Sequence, residues 1–323
     1  MSEELELIRN LEIEIRDFIT EDWIRHSLAQ DLASWNVLLS SLDVIGDTTL
    51  AIGAYEQLSG ENNSGLLYLY HYGILQILFV QQDATENILK SLSINVPEAD
   101  KDWRYVSDIR NRAVGHPTRT DRRKKGNVPQ ASHHISRMSL YKGGFKLLSV
   151  SGFGKNEFVD VSVLELIAKQ KLGVVRLLQM AVETLRKREM EHRRKFRDKP
   201  LSAIILQTTS HAIEKLFEGC HRSNEDRAFA ALNADYLLEI IGKFEAAFIE
   251  RDILPVNHAI DEQIQEVKYP IEELKKFFDG TAASTLNEKS SYIFAFFVRA
   301  KMADLASLAK EIDDKFAADI QSG

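Results

Sequence analysis

Apolar residues three and four positions apart recur along most of the chain, and that period admits helices and little else. Leu5, Ile8, Leu11, Ile15 and Phe18 fall on one side of an acid-rich segment over 2–19, which predicts an amphipathic helix. A second helical stretch is expected over about 28–58, bent at Gly46. After the turn signal Gly60-Glu61-Asn62-Asn63-Ser64-Gly65, a strongly apolar segment from Leu66 to Leu92 reads as the central helix of a bundle. Pro97 punctuates the chain, and Asp100 or Asp102 is placed to cap a helix that runs to about Gly115 and is ended by Pro117. The period then changes. Ile135, Phe145, Leu147, Val150, Phe158, Val159 and Val161 sit among Gly143-Gly144 and Gly152-Phe153-Gly154, the pattern of a small hairpin or three short strands over about 133–162. A long helix returns from Val161 to about Phe196.

At 323 residues the chain exceeds what one hydrophobic core usually organises, and Asp198-Lys199-Pro200 is the best boundary, where a basic helix end meets a proline and a new apolar phase begins at Leu201. Beyond it, Phe229, Leu232, Tyr236, Leu237, Ile240, Ile241, Phe244 and Phe248 define one helix. Two more are expected over about 257–279, interrupted near Pro270, and 285–318. The fold class is therefore all-α: two helical bundles in tandem, residues 1–198 and 199–323, with a small β-hairpin insertion (about 133–162) in the first. A single cysteine, Cys220, cannot form an internal disulfide, and the acidic start has no apolar leader core, so a cytoplasmic location is expected. The apolar stretch Gly65 to Val80 is interrupted by His71 and falls short of the ~20 residues of a spanning helix, so no membrane is expected among the partners.

A net charge of -7 argues against a non-specific nucleic-acid coat, yet the charge is polarised. From Lys101 to Lys125 nine Lys/Arg face three acids, and from Arg186 to Lys199 eight face three. A local basic patch of this kind can bind phosphate even on an acidic protein. For the second block a solvated helix face is an equal reading.

The first block contains the one constellation with chemistry in it, Asp108-Ile109-Arg110-Asn111-Arg112-Ala113-Val114-Gly115-His116-Pro117. Imidazole titrates near neutrality and can take the proton of a ribose 2′-hydroxyl or give one to a leaving oxygen. Guanidinium stays charged and can hold a phosphate through two hydrogen bonds as negative charge builds on it. Asn111 is placed to orient either partner or the ribose. Arg110 and His116 are six apart, about 120° off a shared face of a regular helix, so they converge only where the helix loosens. Arg112, four residues before His116, is the second candidate.

These residues resemble the HEPN superfamily of helical-bundle ribonucleases and nucleic-acid-associated proteins, whose signature is an Arg, commonly followed by a polar residue, with a His four to six residues on; Arg110-Asn111 and His116 have five between them. The resemblance covers about residues 28–196. It implies a homodimer in which two motif helices form one cleft, and metal-free cleavage of single-stranded RNA or tRNA to a 2′,3′-cyclic phosphate, with no cofactor. It implies Arg110 and His116 as catalytic residues, Asn111 as their support, and Arg112, Arg119, Arg122, Arg123, Lys124 and Lys125 as contacts to the RNA backbone, with Trp103 or Tyr105 stacking a base. Many members are toxins or phage-defence effectors, so an antitoxin protein is an expected partner. The alternative reading is a non-catalytic helical module that binds protein or nucleic acid, with Arg110 paired to an acid such as Asp108.

The C-terminal half resembles the mannitol repressor-like helical family through Glu225-Asp226-Arg227-Ala228-Phe229, Leu274 to Gly280 and Tyr292 to Phe297. In related domains the last helix ends in an Ile-Arg-Asn-x-Phe-Ala-His pattern; here Ile312-Asp313-Asp314-Lys315-Phe316-Ala317-Ala318 puts Asp313 for the Arg and Ala318 for the His, which implies a second bundle without the catalytic pair. An unrelated bundle is the equal alternative. Adjacent His133-His134 would point to opposite faces of a strand and read as a surface pair rather than metal ligands, and Cys220 reads as a buried, inert thiol.

Overall fold

The apolar stripes become helices, and at Leu32–Gln57, Ser64–Ser91, Lys101–Arg110 and His258–Phe278 the start is fixed by a side chain that accepts otherwise unpaired backbone N–H groups. In the computed structural model, residues 2–60, 63–115, 131–151, 156–205, 208–221, 224–254, 256–280 and 284–317 are described. The chain divides into two compact units, Met1–Phe18 with Leu28–Leu185, and Ile19–Ser27 with Arg186–Gly323. The second unit thus takes in nine residues from near the N-terminus and begins thirteen residues before Lys199.

The first unit contains most of α1 (Glu3–Thr20), then α3 (Leu32–Gln57), α4 (Ser64–Ser91), α5 (Lys101–Arg110), three strands and the start of α6 (Val163–Phe196); α2 (Asp22–Ala29) lies mainly in the second. Asp31 caps α3 by accepting from the N–H groups of Ala33 and Ser34 at 3.0 and 3.3 Å. Asn63 does the same for α4 from Gly65 and Leu66. At α5 the cap is Asp100, which accepts from Trp103 N–H at 2.8 Å. No bend occurs at Gly46: α3 runs unbroken, because an α-helix tolerates a glycine where its neighbours hold the backbone. By length and composition α3, not the Gly65–Val80 stretch, is apolar enough to cross a membrane, and 44% of its most apolar window is buried in this unit, including Leu38, Leu42 and Ile45.

A buried polar network ties α4, α5 and α6 together. Gln82 Nε2 donates to the Trp103 carbonyl and to Gln170 Oε1, both at 3.1 Å, while Gln170 Nε2 donates to the Leu78 carbonyl at 3.0 Å and to Gln81 Oε1 at 3.1 Å. Ser107 Oγ of α5 donates to Gln82 Oε1. Trp103 is buried rather than free to stack a base, its indole N–H donating to Glu86 at 3.2 Å. Its ring lies so close to α6 that a Cβ on Gly173 would sit 2.5 Å from it.

The insertion is a three-stranded antiparallel meander, β1 (Ala131–Ile135), β2 (Gly144–Ser151) and β3 (Asn156–Ser162), with β2 central. Phe145, Leu147 and Val161 are its buried face. The loop before β2 is fastened to α3 and α4: the Tyr55 hydroxyl donates to the Lys142 carbonyl at 2.7 Å, and His71 Nε2 donates to the Tyr141 carbonyl at 2.9 Å. Burial holds His71 below the usual imidazole range, which keeps the ring neutral with one N–H to give.

In the second unit α7 (Thr208–His221), α8 (Asn224–Glu250), α9 (His258–Phe278) and α10 (Glu288–Ala317) bury Leu216, Leu237, Phe244, Ile264, Leu274, Val298 and Leu305 in one core. The expected interruption at Pro270 is absent; α9 continues through the proline, which is buried. Asp313 accepts the N–H groups of Leu201 and Ser202 at 2.7 and 2.8 Å, and so caps the short turn Leu201–Ala203. Ala318 lies outside the described residues. The N-terminal segment joins this unit through Trp23, stacked on His192 at 4.2 Å, and through Asp22, which accepts from Asn257 Nδ2 at 2.8 Å. Phe196 and Phe316 close other sides of the His192 ring, and burial pulls its pKa down to about 4.

Two outcomes follow for stability. Gly173→Ala should destabilise the first unit by about 1–3 kcal/mol, read as a shift in the denaturant midpoint, because overpacking against a pinned indole outweighs the roughly 1 kcal/mol gained in helix propensity. The second unit should lose stability as pH falls from 6.5 towards 4, since the unfolded chain takes up a proton that folded His192 refuses. Urea titrations across that window should give a smaller loss for His192→Phe than for the natural sequence; equal losses would rule His192 out as the cause.

Candidate functional site

Arg110 is the last residue of α5, and directly after it the backbone widens into a π-helical turn, Asn111–Gly115. A π turn closes its hydrogen bonds five residues apart, so residue 115 comes round under residue 110. The consequence is visible at Gly115, where a Cβ would stand 2.8 Å from Arg110 Nη1 and 3.3 Å from Asn111 Oδ1. Only a glycine leaves the guanidinium where it is.

The Arg110 side chain reaches across to α4. Its Nε and Nη2 both donate to Gln76 Oε1, at 3.2 and 2.8 Å, and its Nη1 donates to Asn111 Oδ1 at 2.9 Å. The guanidinium also lies over the face of Phe79, 4.0 Å from the ring centroid. All these partners are uncharged, and among the described residues no carboxylate stands within ion-pair distance of Arg110. Three of the five N–H groups of the guanidinium thus have partners among the described residues, and two have none among them. Asp108 instead pairs with Arg112, Oδ2 to Nη2 at 2.9 Å, so the acid expected as an alternative partner of Arg110 serves its neighbour.

Arg110 and Asn111 are therefore brought together, and Arg112 is turned to its own ion pair. His116, Arg119, Arg122, Arg123, Lys124 and Lys125 lie outside the described residues. Tyr105 is half-buried with Lys169 Nζ 5.0 Å from its ring centroid. β1 packs against the π turn. Of the histidine pair on that strand, His134 is exposed, but His133 is buried, its Nδ1 2.8 Å from Ser149 Oγ, so the expected surface pair is half wrong: the face of the sheet that carries His133 is covered. Burial, then the charge of Arg112, keeps His133 below the usual imidazole range. Cys220 is buried with its thiol donating to the Leu216 carbonyl at 3.2 Å, and burial raises its pKa, which leaves little thiolate.

No family model, curated protein or solved structure matches this chain.

Function is therefore read from the geometry. The arrangement can hold an oxyanion: a fixed cation, supports that are uncharged, with no carboxylate in ion-pair contact among the described residues, and an amide beside it. Sequence reasoning found Arg110 and Asn111 but not Gln76, Phe79 or the role of Gly115. Gln76 did leave a signal, being an uncharged polar residue inside the apolar run Leu66–Leu92.

Gly115→Ala should push the guanidinium off Gln76 without unfolding the unit. In an NMR spectrum the Arg110 Nε–H resonance, protected in the natural sequence, should shift and exchange faster in the variant, while far-UV circular dichroism stays the same. An unmoved Nε–H resonance would show that the guanidinium is not held as described.

Proposed function

We propose that the first unit is a metal-independent endoribonuclease of HEPN type that cleaves RNA to 2′,3′-cyclic phosphate ends. The observation that carries this reading is the state of Arg110: fastened by the uncharged groups of Gln76, Asn111 and Phe79, in ion-pair contact with no carboxylate among the described residues, and with two N–H groups that have no partner among them. Arg112, by contrast, is paired with Asp108. His116, the general base of this reading, follows Gly115 directly, and Gly115 is folded against the guanidinium.

In this mechanism the His116 imidazole takes the proton of the ribose 2′-hydroxyl and the 2′-oxygen attacks phosphorus. The bond from phosphorus to the 5′-oxygen breaks, and that oxygen leaves with a proton from water or from the partner's His116 in the dimer that the resemblance implies. Arg110 bears the charge that grows on the non-bridging oxygens, and Asn111 keeps the guanidinium turned towards them. The products are a 2′,3′-cyclic phosphate and a 5′-hydroxyl, and no electron or group is left over. A role as a toxin or phage-defence effector accords with such an activity.

The test is incubation of the full chain with total RNA in EDTA, beside His116→Ala of matched thermal stability. Cleavage with cyclic-phosphate ends, slowed at least about a hundredfold in the variant, is the expected result. No cleavage by the folded natural chain overturns the reading in favour of a non-catalytic binding module.

A further inference from the structure

Between α3 and α4 runs a groove holding about 360 Å³, lined by Asn36, Val37, Val44, Val80, Asp83 and Asn87. It is at the small end of ligand clefts, with room for about one base and its ribose. Its position is set by α4. Gln76, Val80, Asp83 and Asn87 follow one another at spacings of four, three and four, so the support of Arg110 and the groove are successive parts of a single helix stripe. From Gln76 to Asp83 the helix rises only about 10 Å.

The groove is open to solvent, and its polar groups make no contact to the rest of the unit. Asn36 and Asp83 are exposed and Asn87 half-buried, and none has a hydrogen-bond or ion-pair partner among the described residues, although the other carboxylate on this part of α4, Glu86, is paired with Lys90 and with the indole of Trp103. Val37, Val44 and Val80 supply apolar walls beside them. Asp83 keeps a phosphate out of this space by charge, so the anionic part of a ligand belongs on Arg110 and an uncharged part rich in N–H donors belongs in the groove. A carboxylate with two free oxygens matches two adjacent N–H donors, and among the four RNA bases only guanine offers that pair, at N1 and N2. The two asparagine amides can donate to its O6 and N7, and the valines cover its ring faces.

We infer that this groove is a guanine subsite, in which Asp83 accepts from N1–H and N2–H while the adjoining phosphate rests on Arg110. The inference rests on the nuclease reading for its occupant and adds to it a base preference. Burial and the neighbouring Glu86 hold the Asp83 carboxyl above its ordinary range, with Lys90 and Arg110 pulling it back. Arg110 is thus close enough for its charge to be felt in the groove.

Calorimetric titration of the full chain with guanosine, adenosine, cytidine and uridine monophosphates, each as the 3′ and the 5′ isomer, tests the subsite without requiring turnover. Guanosine monophosphate should bind at least about tenfold more tightly than the other three, the discrimination of one good bidentate contact. Asp83→Asn should abolish that preference, and Asn87→Ala should weaken guanosine binding alone. Equal affinities, no binding of any of the four, or a guanosine preference untouched by Asp83→Asn would each overturn the inference. Guanosine binding without RNA cleavage would sink the nuclease reading and keep the subsite; cleavage with no base preference would do the reverse.

Discussion

Three buried glutamines hold the first unit in register. Gln81 and Gln82 on α4 and Gln170 on α6 exchange amide hydrogen bonds within the core, and Gln82 also takes the Trp103 carbonyl and the Ser107 hydroxyl of α5. Apolar packing alone would let α5 slide or turn on α4, because leucine contacts are not directional. Amide bonds are, and a buried amide that loses its partner costs about 1–3 kcal/mol. α5 is therefore fixed in rotation as well as position, and its last residue, Arg110, arrives opposite Gln76, about one and a half turns before the glutamine pair on the same α4. The anion-binding geometry is an extension of the polar core and not a separate device.

The arginines of this chain illustrate how environment assigns a role. Arg112 has a carboxylate, Asp108, and is exposed on one side, so its charge is largely spent. Arg251 is buried in the second unit, donates to the carbonyls of Ala247 and Lys199, and lies over Phe196, so it ties helix ends together where no anion can reach. Arg110 has an amide oxygen, an amide neighbour and a ring, which fix its direction without cancelling its field.

Much of this organisation could be read from residue spacing. The helices that carry Leu5 to Ile15, Leu66 to Leu92 and Phe229 to Phe248 follow from period alone, and the small sheet from its change. What could not be read depends on contacts distant in sequence. The π turn at Asn111–Gly115 is a matter of where Arg110 finds its partner on α4, which no local pattern encodes. His133 looked like a surface residue because alternation says which face a strand residue takes but not what covers that face. Pro270 looked like a break because the rule for proline is local, whereas the burial of Ile264, Val267, Ile271 and Leu274 around it holds α9 together. Of the candidate site, Arg110 and Asn111 were legible as neighbours; their supports on α4 were not, being 34 residues away in the chain.

The docking of Trp23 on His192 and of Asp22 on Asn257 has a consequence for how the chain comes into being. The hydrogen bond between Asp22 and Asn257 closes a loop of 235 residues, and the Leu28–Leu185 part of the first unit lies between its ends. During synthesis the segment around α2 leaves the ribosome early and must stay unpaired while the whole first unit is made and folds, until the late helices emerge to receive it. Contacts of such separation form slowly, so the capture of the α2 segment by helices made more than 160 residues later comes late in maturation.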